Sequence, residues 1–192
     1  MNRKTFILIS LLVLLYGFER ENRTVSEIKG DPNMVKAATI PITVKSSAFQ
    51  QDQMIPARYT CDGENISPPL KWGEIPIGTQ SIALICEDPD APMGTWTHWL
   101  MWNVPGNKTE LEENIPKVGK LPDGVCQGIN SGKKVGYTGP CPPDGTHRYY
   151  FNVYALDSML SLSGDVSKEM LLEAMNGHVI AEGSLMGTYQ RK

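Results

Sequence analysis

Short stretches of alternating apolar and polar residues dominate the chain after its first forty positions. "TIPITVKSSAF", "THWLMWNV" and "HRYYFNVYAL" place apolar side chains at every second position, which is the period of a β-strand. "SIALICE" is apolar on both faces, and this predicts a central strand buried on both sides. "HVIAEGSLMGTYQ" is the last extended candidate. Clusters of Gly, Pro and Asn separate these segments, so the pattern predicts a mainly β protein, a β-sandwich.

One segment near the C-terminus follows helical spacing instead. Ser167 is placed to cap this helix, and Gly177 is placed to end it. The apolar residues between them recur on one helical face: Met170, Leu171, Ala174 and Met175. We therefore predict one helix in this part of the sandwich.

The first twenty residues have a different composition. Arg3 and Lys4 precede "FILISLLVLLYGF", an apolar run of 13 residues, and the polar "EREN" follows. A basic start followed by an apolar run of this length is typical of a secretory signal. The run is shorter than the roughly 20 apolar residues that a membrane span needs. No small-x-small cleavage triplet follows closely, so a cleaved signal peptide and an uncleaved signal anchor, held through residues 6–18, both stay open.

These patterns divide the chain into three parts. We expect residues 1–20 to be a signal peptide or signal anchor and residues 21–38, which lack sustained periodicity, to be a tether. Residues 39–192 form the predicted domain. An export signal implies that this domain lies outside the cytoplasm, either secreted or anchored at the membrane.

Composition narrows the choice of partners and cofactors. The net charge is -3, and the 18 Lys and Arg residues are scattered, which argues against a nucleic-acid partner. The four cysteines have no C-x-x-C spacing and no His at a metal-ligand interval, so we predict neither a metal site nor a cofactor. Cys86 lies in the apolar "SIALICE" and is predicted to be buried. The sequence leaves open which of Cys61, Cys126 and Cys141 form a disulfide.

Three junctions between loops and strands carry the candidate chemistry. They are "YTCDGENISPPLKW", "EDPDAPMGTWTHW" and "GYTGPCPPDGTHRYYF", and each packs Pro and Gly beside polar groups. Such loops have little conformational entropy left to lose, so they can hold side chains in place before a ligand arrives. Each loop taken alone also fits a tight turn of a sandwich.

Two of the three histidines open a strand directly after such a loop. These are His98 and His147, and Asp88 and Asp90 end the strand before His98. A nearby carboxylate orients an imidazole and favours its charged form. His147 and Tyr149 lie two residues apart and so face the same side of their strand. We predict that these side chains form a small anion pocket; the alternative is that the histidines are core residues.

These segments resemble a known family. "DPDAP" followed by "HW", and "GPCPPDGTHRYYF", look like the two signature segments of the phosphatidylethanolamine-binding protein family, in its prokaryotic Raf kinase inhibitor-like branch. "YTCDGENISPPLKW" and "AEGSLMGTYQR" resemble further segments of that branch. The resemblance runs from Ile40 to Arg191.

The resemblance implies a Greek-key antiparallel β-sandwich with a few peripheral helices. It also implies a small pocket at one end that accepts phosphate, acetate or a phospholipid headgroup. Cys61 and Asp62 fall in a loop that the branch places near the same edge. The residues that match the motifs as ligand-binding positions are Asp88, Asp90, Pro92, His98, Gly139, Pro140, His147 and Tyr149.

We therefore expect a non-catalytic binding protein for a phosphate-bearing or carboxylate ligand, with a regulatory or inhibitory role left open. One alternative is a His/Asp hydrolase with Cys141 or Ser67 as its nucleophile. Another is an inhibitor of kinases or proteases that acts through protein contact, with residues 106–124 as the longest irregular candidate. Prokaryotic relatives often form homodimers, and the sequence leaves the oligomeric state and any protein partner open.

Overall fold

The computed structural model describes residues 40–73 and 75–191, which form two β-sheets, one α-helix and one short 3-10 helix. The predicted leader and tether lie outside the described residues. The strands are β1 (Ile40–Pro41), β2 (Thr43–Lys45), β3 (Leu70–Gly73), β4 (Ser81–Asp88), β5 (Trp96–Pro105), β6 (Glu110–Leu111), β7 (Cys126–Gln127), β8 (His147–Leu156) and β9 (Val179–Tyr189). The 3-10 helix is Ala57–Tyr59, and the helix α1 is Lys168–Met175. The predicted mainly β fold is confirmed.

The larger sheet has the strand order β1-β9-β8-β4-β5-β7, and the smaller sheet has the order β2-β3-β6. Neighbouring strands are antiparallel except for β1 and β9, which run parallel. The antiparallel β-sandwich that the resemblance implies is confirmed, with one parallel pair at the edge of the larger sheet. The long strands β4, β5, β8 and β9 lie side by side and form the body of the sheet.

The segment predicted as one strand from residue 40 is divided between the two sheets. β1 belongs to the larger sheet and β2 to the smaller one, and Ile42 lies between them. The Ile42 amide donates a hydrogen bond to the Glu182 carbonyl oxygen (2.8 Å). This approach requires a glycine at position 183, because a Cβ atom there would lie 1.9 Å from the Ile42 carbonyl oxygen.

Strand β4 is buried on both of its faces, as its continuous apolar sequence predicts. Leu84 and Cys86 belong to the core between the two sheets. Ala83 and Ile85 belong to a second core on the opposite face, where α1 packs. Strand β4 therefore holds both cores together, and the predicted burial of Cys86 is confirmed.

The predicted helix is present. The Ser167 hydroxyl accepts a hydrogen bond from the Met170 amide (3.5 Å), and Gly177 adopts a positive φ of 80° just after the helix. Leu171 and Met175 are buried, whereas Met170 is exposed although the spacing places it on the apolar face. No helix within residues 40–73 and 75–191 is long and apolar enough to cross a membrane.

Candidate functional site

The strand order brings the predicted site residues to one end of the larger sheet. β4 lies between β5 and β8 and is antiparallel to both, so its last residues meet the first residues of its two neighbours. Asp88 ends β4, His98 lies near the start of β5, and His147 opens β8. Residues up to 59 positions apart in sequence therefore become neighbours.

A cavity of about 340 Å³ opens at this end of the sheet. Its polar floor consists of side chains from the three strands, and its walls are mostly Pro, Met and Ala from the loops together with Trp96 at the start of β5. The lining residues are Asp88, Ala91, Pro92, Met93, Trp96, His98, Thr138, Gly139, Cys141, Pro142, Pro143 and His147. Five of the predicted ligand-binding residues line it: Asp88, Pro92, His98, Gly139 and His147.

The Asp88 carboxylate orients the ring of His147. The His147 Nδ1–H donates to Asp88 Oδ2 (2.7 Å), and the Asp90 amide donates to Asp88 Oδ1 (2.8 Å). Both side chains are largely buried, with exposed fractions of 3% for Asp88 and 6% for His147. Because Nδ1 is occupied, Nε2 is the ring atom of His147 that a ligand can reach.

A backbone carbonyl group orients the ring of His98. The His98 Nδ1–H donates to the Thr138 carbonyl oxygen (2.6 Å), since a carbonyl can only accept. Burial lowers the pKa of His98, and the Thr138 hydrogen bond and the negative charge of Asp88 only partly offset this effect. The neutral ring is therefore favoured, with Nε2 as its free atom.

Tyr149 lies behind the cavity floor and does not line the cavity. Its ring meets the ring of His98 edge-on, with centroids 5.2 Å apart. The hydroxyl group is buried and makes no hydrogen bond of good geometry within the part of the chain that the structure describes. Burial raises its pKa strongly, and the neighbouring Asp88 raises it further, so Tyr149 stays neutral. Tyr149 therefore supports His98 by packing; its contact with a ligand stays a prediction from the sequence.

Asp90, also predicted to bind the ligand, does not line the cavity. Its carboxylate is occupied by Arg148, whose Nε and Nη2 atoms donate to the two carboxylate oxygens (2.9 and 2.6 Å). The Arg148 amide donates to it as well (2.9 Å). These hydrogen bonds lower the pKa of Asp90 to about 2. Residue Arg148 points away from the cavity because it alternates with His147, so the ion pair forms outside the site.

A glycine and a disulfide bond hold the third loop against its neighbour. A Cβ atom at Gly139 would lie 2.4 Å from the Tyr59 carbonyl oxygen, and the Gly139 amide donates to Asn65 Oδ1 (2.7 Å). Cys61 and Cys141 form a disulfide, which settles the pairing that the sequence leaves open. Pro140, also predicted as a ligand-binding residue, is not among the lining residues, and its carbonyl oxygen accepts a hydrogen bond from the Cys61 amide (3.0 Å). The loop is therefore anchored at three consecutive positions.

Other candidates from the sequence lie apart from the cavity or are occupied. Cys141 lines the cavity, but the disulfide removes the thiol that a hydrolase would need. The Ser67 hydroxyl accepts a hydrogen bond from the Ile115 amide (2.9 Å) and does not reach the cavity. Asp62 accepts from the Tyr189 hydroxyl (2.8 Å) outside it. No group of three or more His, Cys, Asp or Glu residues within 40–73 and 75–191 is arranged to hold a metal ion.

The irregular segment of residues 106–124 is bound to the sandwich at several points. β6 pairs with β3, and the Lys117 ammonium donates to the Asn65 carbonyl oxygen (2.7 Å). An inhibitory contact through this segment stays a prediction from the sequence.

Several lining residues are missing from the sequence prediction. Met93 lies in the loop before β5 and Trp96 opens β5, both between Asp88 and His98 in sequence, and their exposed fractions are 96% and 38%. The sequence does show large apolar residues between two polar site residues, and this pattern is a signal for a cavity wall. Thr138 contributes through its backbone carbonyl group, for which the side chain gives no signal.

Comparison with known proteins identifies the family. The family model for phosphatidylethanolamine-binding proteins matches residues 45–190. A UPF0098 protein of Methanothermobacter thermautotrophicus is 55% identical over 150 residues, which span 78% of this chain and 99% of that protein.

Two solved structures are similar as well. The phosphatidylethanolamine-binding protein homologue CT736 of Chlamydia trachomatis aligns with a TM-score of 0.74 at 42% identity, over 80% of this chain and 100% of that one. The E. coli protein YbcL is described as a member of the mammalian phosphatidylethanolamine-binding protein family. It aligns with a TM-score of 0.73 at 31% identity, over 79% of this chain and 99% of that one. The chain belongs to the phosphatidylethanolamine-binding protein family.

Proposed function

We propose that this member of the family is a non-catalytic binding protein whose cavity takes a small phosphate-bearing or carboxylate ligand, such as a phospholipid headgroup. One observation carries the proposal: His98 and His147 line the same cavity, each with its Nδ1 atom held by the protein and its Nε2 atom free. Two imidazoles fixed in this way form a binding floor for an acidic group.

The size and walls of the cavity support a ligand larger than a bare anion. A volume of about 340 Å³ lies within the range of small-molecule sites. Pro92, Pro142 and Pro143 form part of the walls, and Trp96 adds an aromatic surface. Prolines hold these walls in place before binding, which lowers the entropy lost on association. The acidic group would lie on the floor and an apolar part of the ligand against the walls.

The lack of a suitable nucleophile supports binding over hydrolysis. A His and Asp pair activates a nucleophile only when a hydroxyl or thiol group lies within hydrogen-bond reach. Cys141 is the cysteine among the lining residues, and its sulfur is in a disulfide. Thr138 contributes its hydroxyl to a hydrogen bond from Asn130 (2.9 Å).

The disulfide also bears on where the protein works. Disulfides persist mainly in oxidising compartments outside the cytoplasm. The Cys61–Cys141 bond therefore supports the expectation that the domain is exported.

The test is calorimetric titration of the protein with phosphate and with phosphoethanolamine. His147→Asn removes the Nε2 atom but leaves an amide that can still donate to Asp88, so the buried carboxylate keeps a partner. We expect this variant to lose binding of both probes. His178 forms a similar but exposed pair with Asp157 (2.8 Å), and His178→Asn is the matched control that keeps binding. Unchanged affinity in a folded His147→Asn variant would show that the ligand does not use this floor.

A further inference from the structure

We propose that the cavity takes up one proton when it binds an anion, and that it therefore favours singly charged acids over doubly charged ones. The inference rests on the proposed function, because it concerns how the same cavity meets the charge of its ligand. It follows from a count of the hydrogen-bond donors and of the charges around the cavity.

Neither imidazole offers a donor to the cavity while it is neutral. A neutral imidazole carries a single N–H, and in both rings this N–H lies on Nδ1 and is already used. His98 donates it to the Thr138 carbonyl oxygen (2.6 Å) and His147 to Asp88 (2.7 Å). Each neutral ring therefore presents the lone pair of Nε2, which repels the oxygen of an anion. A ring can donate to an anion only after it has gained a second proton.

The surroundings supply no other positive charge. No Lys or Arg side chain lines the cavity among residues 40–73 and 75–191, and the one lining carboxylate is Asp88. Arg148 follows His147 in sequence, but Asp90 binds its guanidinium outside the site. With both rings neutral the floor carries the negative charge of Asp88, and one protonated ring only cancels it. A doubly charged ligand would require both rings to be protonated.

The groups that face the two rings leave the imidazoles as the sites of proton uptake. Tyr149 on β8 packs against His98, and Cys86 lies buried on β4. Burial raises the pKa of both, so neither loses a proton near neutral pH. Asp88 on β4 faces His147 and acts on His98 through its charge. Because burial lowers the pKa of His98, this ring is neutral in the free protein and can accept a proton when an anion binds.

The charge count separates two classes of phosphate ligand. A phosphate monoester loses its second proton near a pKa of about 6, so it is mostly doubly charged at neutral pH. A phosphodiester and a carboxylate stay singly charged there. One protonated ring is sufficient for these singly charged ligands.

The experiment is calorimetric titration with methyl phenyl phosphate, a diester, and with phenyl phosphate, a monoester. Each titration of the wild-type protein is run at one pH in two buffers with different ionisation enthalpies, which gives the number of protons taken up. We expect about one proton per diester bound. We also expect the affinity for the diester to fall by up to about tenfold per pH unit between the pKa of the ring in the free protein and its higher pKa in the complex. Above a pH of about 6, the monoester should lose affinity more steeply than the diester.

Variants locate the proton. His98→Gln and His147→Gln each place an amide donor near the former Nε2 position, and this donor does not titrate. In His98→Gln, which lacks the ring that accepts the proton, we expect the proton uptake to disappear and the affinity to become independent of pH. His178→Gln, in the exposed pair with Asp157, is the control that keeps the uptake. Should either cavity variant fold poorly, the comparison of two buffers with the wild-type protein still shows whether a proton is taken up on binding.

Two results would overturn the inference, and they can be told apart. Diester binding without proton uptake, at the same affinity across the neutral range, removes proton coupling but leaves the proposed function intact. Failure of both probes to bind at any pH removes the proposed function and the inference with it.

Discussion

Two histidines that are almost fully buried also line a cavity, so burial by itself does not separate a core imidazole from a binding one. His98 is 5% exposed and His147 is 6% exposed, values that a core residue would also show. The distinction comes from the partners, because in each ring only Nδ1 is held by the protein. The atom without a protein partner, Nε2, is the one available to a ligand.

At Trp96 we expect a substitution to discriminate between ligands. Trp96→Ala should weaken binding of phenyl phosphate by roughly three- to tenfold, the range of a single aromatic contact, because the indole lies on the cavity wall. Binding of inorganic phosphate, which lacks an apolar part, should change much less. Calorimetry with both ligands measures the difference. Equal losses for the two ligands would show that Trp96 acts through the structure of the loop.

Two exposed methionines, one on the cavity wall and one outside the cavity, allow a matched test of whether apolar wall residues contribute to binding. Met93 lines the cavity, whereas Met159 is exposed elsewhere on the surface. Met93→Ala should weaken binding of phenyl phosphate, and Met159→Ala should leave it unchanged.

At Asp90 we expect a substitution to leave binding intact. Asp90→Asn removes half of an ion pair with Arg148 that lies outside the cavity. The Kd for phenyl phosphate should change by no more than about twofold, as for other surface substitutions. A loss of binding comparable with that of His147→Asn would place Asp90 back in the site.

At the scale of elements, the spacing of apolar residues predicted those strands and the helix whose burial depends on local sequence alone. β4, β8 and α1 could be read from the sequence because β4 and β8 bury the residues that their spacing marks and α1 buries Leu171 and Met175 of its apolar face. The division of the first strand at Ile42 could not, because it depends on the approach to Gly183 some 140 positions later. The same holds for the ion pair of Asp90, since Arg148 lies 58 positions away in sequence and no local pattern marks the two as partners.

The disulfide joins two of the loops that form the site, and its removal should affect both stability and binding. Cys61 and Cys141 are 80 positions apart. Closing a loop of this length lowers the conformational entropy of the unfolded chain, which raises the free energy of unfolding by about 4 kcal/mol. The Cys61→Ser/Cys141→Ser double variant should lose free energy of unfolding on this scale. It should also bind phenyl phosphate more weakly, because Cys141 lines the cavity.

Urea denaturation of this double variant, followed by calorimetry at a temperature where it is folded, measures both effects. Cys126→Ser is the control, since the Cys126 thiol is free and lies outside the cavity. A double variant as stable as the wild-type protein would mean that the contacts of Gly139 and Pro140 hold the loop without the disulfide.

At the scale of the whole molecule, the two cores lie on opposite faces of the larger sheet, and the cavity lies at the end of that sheet. The strands that carry the floor are therefore fixed on both sides, whereas most of the wall residues belong to loops. This arrangement links the protonation of the floor to the stability of the fold, because a charge on His98 enters a region packed from both sides.

The sign of that link can be derived from His98. Burial lowers its pKa in the folded protein below the ordinary value of 6.5, so the unfolded chain binds the proton more readily. The stabilisation is fully present above a pH of about 6.5 and is lost as the pH falls through the lower, folded pKa. The limiting slope for one proton is about 1.4 kcal/mol per pH unit.

We therefore expect the free energy of unfolding to fall more steeply on mild acidification in the wild-type protein than in His98→Gln, whose amide does not titrate. Urea denaturation at a series of pH values, in buffers without phosphate, measures both slopes, and any constant loss of stability in the variant does not affect the comparison. A saturating diester should reduce the difference, because the complex holds the proton in its folded state. Parallel slopes without ligand would show that protonation of His98 is not linked to folding, so the ring would be solvated well enough to carry its charge in the free protein.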